Sequence, residues 1–461
     1  MSPPGRHRPE ADGLRQATDS PQGLSVSGLS PKGALRSAQH EGNPVTLRWP
    51  LTVLTLIATV QFFDRALMVV VMEPIKREFG LSDAQLGLLS GLSYAAAFAL
   101  AGIPLGWLAD RTHRRNLLAG LLAAWSACVA LAGAAGSFGA LVATRVGIGA
   151  MDAGGQPCSV SMIADLAPRE RRSGAVAVFF AGVPLGMLLG FLAGAMIAGQ
   201  YGWRTGFFVA AIPGALLAAL LLFTVKEPRR GATDPAGSTP TAAPPLPETL
   251  RFMAGQRSLV LIIVASVLVT ATSSAMMSWI GSLLIRTHQL SLPQVGLMTA
   301  LCMGGVGTVG TLAAGALADR LGARDMRWQP RLMALAAGLI AVFGTAVCLL
   351  PWVPGVAVAL ALFAACVAGL NGPTYALTQS LVRVRMRGIS MSTLVVLLNL
   401  IGVGVGPTLA GLLSDHFAAQ YGADSVRWAM VCVLALNLPA VGVFWQAARY
   451  IRADLDRAAL A

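Results

Sequence analysis

Four ionisable residues stand deep inside apolar stretches of the chain: Asp64, Arg65, Arg145 and Asp152. An ionised side chain at the centre of a bilayer costs several kcal/mol unless it is paired or hydrated, so residues of this kind indicate a functional site. A carboxylate can take up and release a proton, and a guanidinium can pair with that carboxylate or with an anion from outside the protein. The alternative is a static cluster of ion pairs that only holds helices together.

The spacing of these four residues predicts that they meet in space. Arg145 and Asp152 are seven residues apart, which is about two helical turns and places them on one face of a helix. At ~1.5 Å per residue, Asp64 lies ~12 Å and Arg145 ~10 Å below the outer ends of their helices. Because these depths are similar, the sequence predicts a cluster of two acids and two bases between the first and fourth helices. No histidine stands as deep, so the carboxylates are the titratable groups available there.

The elements that must position this cluster are membrane-spanning helices. Hydrophobic residues make up 55% of the 461 residues and charged residues 12%, and the mean hydropathy is +0.66, so the chain belongs in a bilayer. A helix needs roughly 20 apolar residues to cross the hydrocarbon, and the sequence contains twelve such stretches. They cover residues 50–72, 85–109, 116–135, 138–164, 173–199 and 204–225, then 258–285, 293–318, 332–350, 354–380, 388–413 and 426–447.

The same pattern divides the chain into two halves. We predict an all-α membrane protein in which residues 48–226 and 258–448 form two pseudo-symmetric six-helix bundles. Residues 1–47, rich in Ser, Pro and Gly, are predicted to be a disordered tail. The proline-containing residues 227–257 are predicted to be a linker, and residues 449–461 a second tail.

Basic residues determine the predicted orientation. Of the 34 Lys and Arg residues, 27 fall in segments that are cytoplasmic if the amino terminus is inside, 5 in outer loops or their edges, and 2 in the spans. Short cytoplasmic loops retain basic residues, so both tails and the linker are predicted to be cytoplasmic, in a plasma (inner) membrane. The net charge of +13 is then a topology signal, and no basic run interleaved with aromatic residues indicates a nucleic-acid partner.

One sequence pattern occurs in both halves, as Gly106-Trp-Leu-Ala-Asp110-Arg-Thr-His-Arg-Arg115 and as Gly315-Ala-Leu-Ala-Asp319-Arg-Leu-Gly-Ala-Arg324. Each copy closes a long apolar segment. In these residues the chain resembles the major facilitator superfamily, in which a G-x-L-A-D-R-x-G-R-R loop joins the second and third helices of each six-helix half. His113 and Ala323 depart from that pattern. The resemblance implies a transporter with twelve helices.

The resemblance also implies a gate at the cytoplasmic end. Asp110 would lie near the amino terminus of helix 11 of the other half, and Asp319 near that of helix 5, where the helix dipole favours a carboxylate. The basic residues of the same loops belong to the predicted gate: Arg111, Arg115, Arg320 and Arg324. These contacts would break when the bundles rock about a mid-membrane site. The alternative is that the loops only secure topology and folding.

Several runs in the first half resemble a narrower group, the spinster-like branch of that superfamily. They are Phe63-Asp64-Arg65, Arg145-Val-Gly-Ile-Gly149-Ala-Met-Asp152-Ala-Gly-Gly-Gln-Pro157, Gly202-Trp203-Arg204 and Glu227-Pro228-Arg229. That branch is associated with export of lysolipids and sphingolipid phosphates in animals and with diverse solutes in bacteria. By this resemblance Asp64 and Asp152 would carry protons, although Asp152 stands where the branch has the longer Glu. Arg65 and Arg145 would tune these acids or hold an anionic headgroup.

Polar residues within the spans of the second half are neutral. The predicted substrate-binding residues there are Trp279 in helix 7, Asn371 and Tyr375 in helix 10, and Asn399 in helix 11. The alternative for each is a hydrogen bond between helices, the usual role of such residues in bundles. One half would hold a charged group and the other a less polar body, as an amphiphile or a hydroxylated organic acid requires.

Glycine recurs every four residues along helix 5, at Gly182, Gly186, Gly190 and Gly194. This spacing lets a neighbouring backbone approach closely and is compatible with helix movement, although close packing without a hinge explains it equally well. The superfamily's antiporter signature has a Gly-Pro pair in helix 5, whereas Val183 precedes Pro184 here, so drug antiport is disfavoured.

We therefore predict a secondary transporter that moves a small organic solute, anionic or amphipathic, by alternating access and with coupling to protons. It would act as a monomer in the lipid bilayer, with its solute and protons as partners and with no cofactor or metal. The alternatives are a uniporter or a multidrug or lipid exporter of the same fold and, outside transport, a membrane sensor. An enzyme is disfavoured because the sequence has no G-x-x-x-x-G-K-[ST] loop, no H-E-x-x-H and no nucleophile elbow in a suitable context.

Overall fold

The computed structural model describes residues 44–229, 245–322 and 324–459, and these residues form twelve long helical segments. The first six are α1 (Pro44–Phe79), α2 (Asp83–Arg111), α3 (Arg114–Gly133), α4 (Phe138–Leu166), α5 (169–201) and α6 (Trp203–Thr224). The other six are α7 (Arg257–His288), α8 (292–322), α9 (Trp328–Leu349), α10 (Val353–Ser380), α11 (387–421) and α12 (425–459). Each segment overlaps one of the twelve predicted apolar stretches, and most continue beyond it into polar residues.

By length and apolar composition, nine helical runs among the described residues could cross a membrane. Four segments account for the difference from twelve. α4, which carries Arg145 and Asp152, is not among the nine, and α8 appears only as the shorter apolar run Leu292–Val306. α11 and α12 are joined in one run, Val384–Ala458.

The boundaries of the halves differ in detail from those predicted. Residues 1–43 of the predicted first tail and 230–244 of the predicted linker lie outside the described residues, and the linker contains a short helix, Leu246–Gly255. α12 continues to Ala459, well into the predicted second tail. The buried Asp454 carboxylate explains this, because it accepts hydrogen bonds at 2.7 Å from the backbone N–H and the hydroxyl of Ser258 and thereby ties α12 to the start of α7.

Local sequence explains where the helices next to the buried charges begin. α2 starts with a capping box: Ser82 Oγ accepts a hydrogen bond from Gln85 N at 3.2 Å, and Gln85 Oε1 accepts one from Ser82 N at 2.9 Å. α4 starts where Ser137 Oγ accepts a hydrogen bond from Ala140 N at 3.2 Å. Gly202 separates α5 from α6 with a φ of 86°, a conformation that favours glycine.

In the part of the chain that the structure describes, the second and fifth helices of each half contain a π-helical turn. These turns are Leu88–Leu92 in α2, Gly190–Gly194 in α5, Ala300–Val306 in α8 and Leu398–Val403 in α11. The four helices meet across the two halves in the pairs α2–α11 and α5–α8. π-Helical turns occur frequently at functional sites, so their repetition marks this contact between the halves.

The predicted close packing along the helix 5 glycines is confirmed. A Cβ added at Gly182 or Gly190 would lie 2.5 Å from a backbone carbonyl oxygen of α1, and one at Gly186 would overlap the Thr59 carbonyl oxygen. At Gly194 the nearest atom would be a Leu67 methyl carbon at 3.1 Å. The glycines therefore let α5 lie directly against α1, the helix that carries Asp64 and Arg65.

Gly186→Ala should destabilise the protein. The added methyl group has no space beside α1, so the helices must separate, which costs roughly 1–3 kcal/mol for an overpacked site. Thermal unfolding of the purified protein measures the effect. Gly174→Ala on the same helix is the control, because a Cβ there meets nothing within 4 Å. Equal melting temperatures for the two variants would contradict the packing role of Gly186.

Candidate functional site

The four charged residues meet between α1 and α4, in two ion pairs, and all but the partly exposed Arg65 are buried. Arg145 Nη1 lies 3.1 Å from Asp64 Oδ2, and Arg65 Nη2 lies 3.1 Å from Asp152 Oδ2. The pairing therefore crosses between the helices: Asp152 pairs with Arg65 of α1 and not with Arg145, two turns away on its own helix. Each pair connects α1 to α4, which makes the cluster a bridge between these helices.

Two residues that sequence reasoning did not single out complete the surroundings of Asp152. Gln61 Nε2 donates a hydrogen bond to Asp152 Oδ1 at 2.9 Å, and Tyr94 Oη donates one to Asp152 Oδ2 at 2.8 Å. Arg65 Nη2 also donates to Tyr94 Oη. Gln61 is three residues before Asp64, on the same helix face, and this spacing is the signal that could have identified it. Tyr94 carried only a weak signal, as a polar aromatic in an apolar helix.

The Asp64–Arg145 pair has fewer of its hydrogen-bonding atoms paired than the Arg65–Asp152 pair. Asp64 is 0% exposed, and its Oδ1 atom and the Nη2 atom of Arg145 are buried without a hydrogen-bond partner among the described residues. The Arg145 guanidinium lies over the Phe207 ring, 5.3 Å from its centroid. A buried ion pair with unused donors and acceptors is costly, so this pair has more to gain from a bound ligand or proton than the Arg65–Asp152 pair.

A cavity of about 450 Å³ lies between the halves beside this cluster. Arg65, Tyr94 and Arg145 line it from the first half, whereas the two acids do not. The guanidinium groups therefore stand between the cavity and the carboxylates. Apolar side chains make up much of the remaining wall, together with hydroxyl groups of α7 and α10: Phe62, Met68, Met277, Leu370, Phe444, Ser266, Ser273, Ser274 and Thr374.

The four residues predicted to bind substrate in the second half separate into two groups. Asn371 and Tyr375 line the cavity. Trp279 is outside its wall, because its Nε1–H donates a 3.0 Å hydrogen bond to the Pro407 carbonyl oxygen of α11. Asn399 is also outside, and its Nδ2–H donates to the Val395 carbonyl oxygen within α11 at 2.9 Å. Trp279 thus makes the hydrogen bond between helices that was its alternative role, whereas the Asn399 bond stays within α11 and fits neither expectation.

The predicted gate residues lie away from the cavity, in or beside the two repeated loops at the ends of α2 and α8. Asp110 and Arg111 are exposed at the end of α2, Arg320 is exposed in the last turn of α8, and Arg324 is exposed just after it. Arg115 Nη1 donates to the Val225 carbonyl oxygen at 3.2 Å, within the first half. The side chain of Asp319 lies outside what the structure describes. The gating role of this set stays a prediction.

Within the first copy of the repeated loop, the buried Arg114 side chain connects this loop to the Glu227-Pro228-Arg229 run. Arg114 is 3% exposed and pairs with Asp165 of α4 at 2.6 Å and with Glu227 at 3.2 Å. The Glu227 carboxylate also accepts a hydrogen bond from Arg115 N at 2.7 Å, which caps α3. The Glu227-Pro228-Arg229 run therefore fixes the end of α6 to the loop between α2 and α3.

At the opposite end of the helices, Arg286 of α7 joins the two halves. Its Nε donates to Glu73 Oε2 of α1 at 2.9 Å, and its Nη1 and Nη2 donate to the Asp83 carboxylate of α2 at 2.9 and 2.8 Å. A second set of contacts joins the halves at the same place: the Asp415 carboxylate of α11 accepts hydrogen bonds from the backbone N–H groups of Asp83 and Ala84, each at 2.8 Å. We call the two sets together the Arg286 network. Sequence reasoning missed it because its members are far apart in the chain and lie near helix ends.

Two six-helix halves around a central cavity, with ion pairs buried beside it, define a multi-pass membrane transporter. The chain matches the family model of the Major Facilitator Superfamily over residues 54–403. It belongs to that superfamily. The predicted fold class, twelve transmembrane helices in two pseudo-symmetric bundles, is thereby confirmed.

Similar proteins support the narrower resemblance as well. The chain is 30% identical over 412 residues to an MFS-type efflux pump of Mycolicibacterium smegmatis, covering 87% of this chain and 93% of that protein. Protein spinster homolog 1 of Rattus norvegicus is 30% identical over 247 residues, which is 52% of this chain and only 46% of the relative. A crystal structure of a bacterial homologue of the human lysosomal transporter spinster, inward-facing and unoccupied, superposes with a TM-score of 0.83 at 26% identity, covering 90% and 99% of the two chains. The predicted spinster-like character is confirmed.

Arg286→Gln should separate the halves at the end that the Arg286 network closes. The change removes three hydrogen bonds between charged groups, each contributing roughly 1.5–3 kcal/mol. Spin labels are attached to cysteines introduced at the exposed Gln200 and Gln420, one in each half. The distance between the two labels, measured by pulsed electron paramagnetic resonance, should be longer in the variant.

Arg204→Gln is the matched control for this experiment. Arg204 pairs with Glu78 and donates to the Ala135 carbonyl oxygen, so its contacts remain within the first half at the same end. Its distance distribution should equal that of the parent protein. Identical distributions for Arg286→Gln and the parent would show that the network does not hold the halves together.

Proposed function

We propose that this protein is a proton-coupled secondary transporter that moves a small anionic or amphipathic organic solute by alternating access. One observation carries the proposal: two ion pairs whose guanidinium groups face the cavity while their buried carboxylates lie behind. The membrane transporter class comes from the family, whereas the solute, the proton and the cycle are the proposed part.

The charge of the cavity wall supports an anionic solute. Of the described residues that line it, the charged ones are Arg65 and Arg145. A guanidinium presents a planar pair of donors that matches a carboxylate or phosphate group. The opposite wall offers apolar side chains with a few polar groups, including Asn371 and Tyr375, which suits a less polar body. The headgroup would thus face α1 and α4 and the remainder α7 and α10.

The two roles of Arg65 support proton coupling. Its guanidinium pairs with Asp152 and also lines the cavity, so an anion that enters competes with Asp152 for it. When Asp152 is protonated, Arg65 loses its internal partner and is available to the solute. Asp64 acts on Arg145 in the same way. Each acid therefore links proton binding to solute binding without touching the solute.

Alternating access needs a closed end and an end that opens. The Arg286 network closes one end, and the loops with Asp110 and Asp319 are proposed to close the other in a different state of the cycle. We propose that this second end and both termini are cytoplasmic and that the protein acts as a monomer in the plasma (inner) membrane. The relative from Mycolicibacterium smegmatis is described as an efflux pump, which favours export as the direction.

Reconstitution into proteoliposomes tests the proposal. A panel of radiolabelled lysophospholipids, sphingosine phosphate and hydroxylated dicarboxylates is assayed with and without an imposed pH gradient. Accumulation that a protonophore abolishes supports proton coupling. Equal rates with and without the gradient would favour a uniporter, and a folded protein that transports nothing would favour the sensor alternative.

Asp64→Asn should abolish accumulation driven by a pH gradient, because Asn resembles the protonated acid and cannot release a proton. Solute exchange at equal pH should continue, which separates loss of coupling from loss of binding. Asp456→Asn, which alters an exposed acid near the end of α12, is the control and should accumulate solute normally. Uphill transport by a normally expressed Asp64→Asn variant would eliminate Asp64 as a coupling acid.

Substitutions of Arg145 separate solute binding from a structural role. Arg145→Lys keeps the charge but loses the two-donor fork, so the apparent affinity for an anionic solute should fall while the melting temperature changes little. Arg145→Ala should lower the melting temperature sharply, because it leaves Asp64, which is 0% exposed, without a counter-charge. Near-normal transport by the Lys variant would assign Arg145 to structure alone.

A further inference from the structure

Tyr94 occupies the boundary between the cavity and the buried acid Asp152. It lines the cavity, yet it is only 7% exposed, and its hydroxyl donates the 2.8 Å hydrogen bond to Asp152 Oδ2. The same hydroxyl accepts a hydrogen bond from Arg65. Tyr94 is thus the described residue of α2 that touches both members of the Arg65–Asp152 pair.

Packing fixes the position of this hydroxyl. The Tyr94 ring stacks on Phe98 with a centroid distance of 6.1 Å, and the Arg65 guanidinium lies over the ring at 4.8 Å. The backbone of α2 also lies against α4 at Gly149, where an added Cβ would overlap the Tyr94 carbonyl oxygen. Gly149 is three residues before Asp152, so this contact determines how far the hydroxyl stands from the carboxylate.

α2, the helix that carries Tyr94, contacts the second half at residues just before Tyr94 in the sequence. The π-helical turn Leu88–Leu92 ends two residues before Tyr94, and a Cβ added at Gly91 would lie 2.7 Å from the Gly404 carbonyl oxygen of α11. A movement of α11 against α2 therefore reaches the segment that holds Tyr94. Tyr94 therefore stands three residues, less than one helical turn, from a direct backbone contact between the halves.

Charged and polar groups reach Asp152 from two helices. α1 provides Gln61 and Arg65, and α2 provides Tyr94. The remaining ionised pair, Asp64 with Arg145, lies beside them. Of these three partners of Asp152, Tyr94 is the one on a helix that has a π-helical turn where the two halves meet.

We propose that Tyr94 is a positioning residue that holds Asp152 in its ionised, Arg65-paired form and releases it for protonation when α2 shifts against α11. This inference rests on the proposed role of Asp152 as a proton-binding acid. A hydrogen bond donated to a carboxylate favours its ionised form, so a shift of the hydroxyl away from Asp152 allows the proton to bind. Contact between the halves and proton binding are then connected through one hydroxyl group.

An infrared titration of the purified protein in lipid tests this without knowledge of the solute. The carboxylic acid C=O band that disappears in Asp152→Asn reports protonation of Asp152. In Tyr94→Phe, which keeps the ring and removes the hydroxyl, we expect the midpoint of this band to move to higher pH by about one to two units, the equivalent of one hydrogen bond to a charged group. The band itself should move to higher frequency, since the carboxyl group has lost a partner.

Ser93→Ala is the matched control. It removes a neighbouring buried hydroxyl of α2 that bonds within the helix, to the Leu89 carbonyl oxygen at 3.1 Å, and its titration should match the parent protein. If Tyr94→Phe does not fold, 3-fluorotyrosine at position 94 keeps the shape and strengthens the donor. The midpoint should then move to lower pH.

The outcomes separate this inference from the proposed function. A band that titrates but has the same midpoint in the parent, Tyr94→Phe and 3-fluorotyrosine proteins overturns the role of Tyr94 and leaves Asp152 as a proton-binding acid. A parent spectrum in which no titrating band disappears in Asp152→Asn overturns both. A shift in Ser93→Ala as large as that in Tyr94→Phe would assign the effect to general disturbance of α2.

Discussion

The cost of an unpaired charge in a membrane is the constraint on which this structure depends. Asp64 and Asp152 lie between apolar helices, and each has a guanidinium counter-charge 3.1 Å away, from Arg145 and Arg65 respectively. Each pair takes one member from α1 and one from α4, so the balance of charge also fixes how these helices lie against each other. Protonation of a carboxylate, or binding of an anion to a guanidinium, would leave the other member of that pair without its partner and so change the contact between α1 and α4.

α1 is the helix on which these effects converge. It presents Asp64 and Arg65 to α4 and lies against the glycines of α5. Nine residues beyond Asp64, or ~13 Å along the helix, its Glu73 side chain belongs to the Arg286 network. α1 therefore contacts the charge cluster, the cavity and the closed end of the two halves. A rigid helix can transmit a change at one of these places to the others.

The two halves share an architecture but not a chemistry. Both contain the repeated loop and π-helical turns in their second and fifth helices, which meet across the boundary between the halves. The first half concentrates the buried ion pairs, whereas the cavity residues of the second half are apolar or neutral, as Asn371 and Tyr375 illustrate. A shared framework allows the halves to move against each other, and the difference in chemistry gives the cavity one charged wall and one weakly polar wall.

The sequence by itself determined the twelve helices, their division into halves and the four charged residues deep within the spans, because hydropathy along the chain and depth along a helix are local properties. It also indicated that Asp64 and Arg145 lie at similar depth. Only the tertiary structure decided that Arg65 pairs with Asp152, that Tyr94 joins them and that Trp279 faces α11 and not the cavity. These contacts depend on how each helix is rotated about its axis, and packing between distant segments sets that rotation. For the same reason the Arg286 network, assembled from α1, α2, α7 and α11, left no pattern in the sequence.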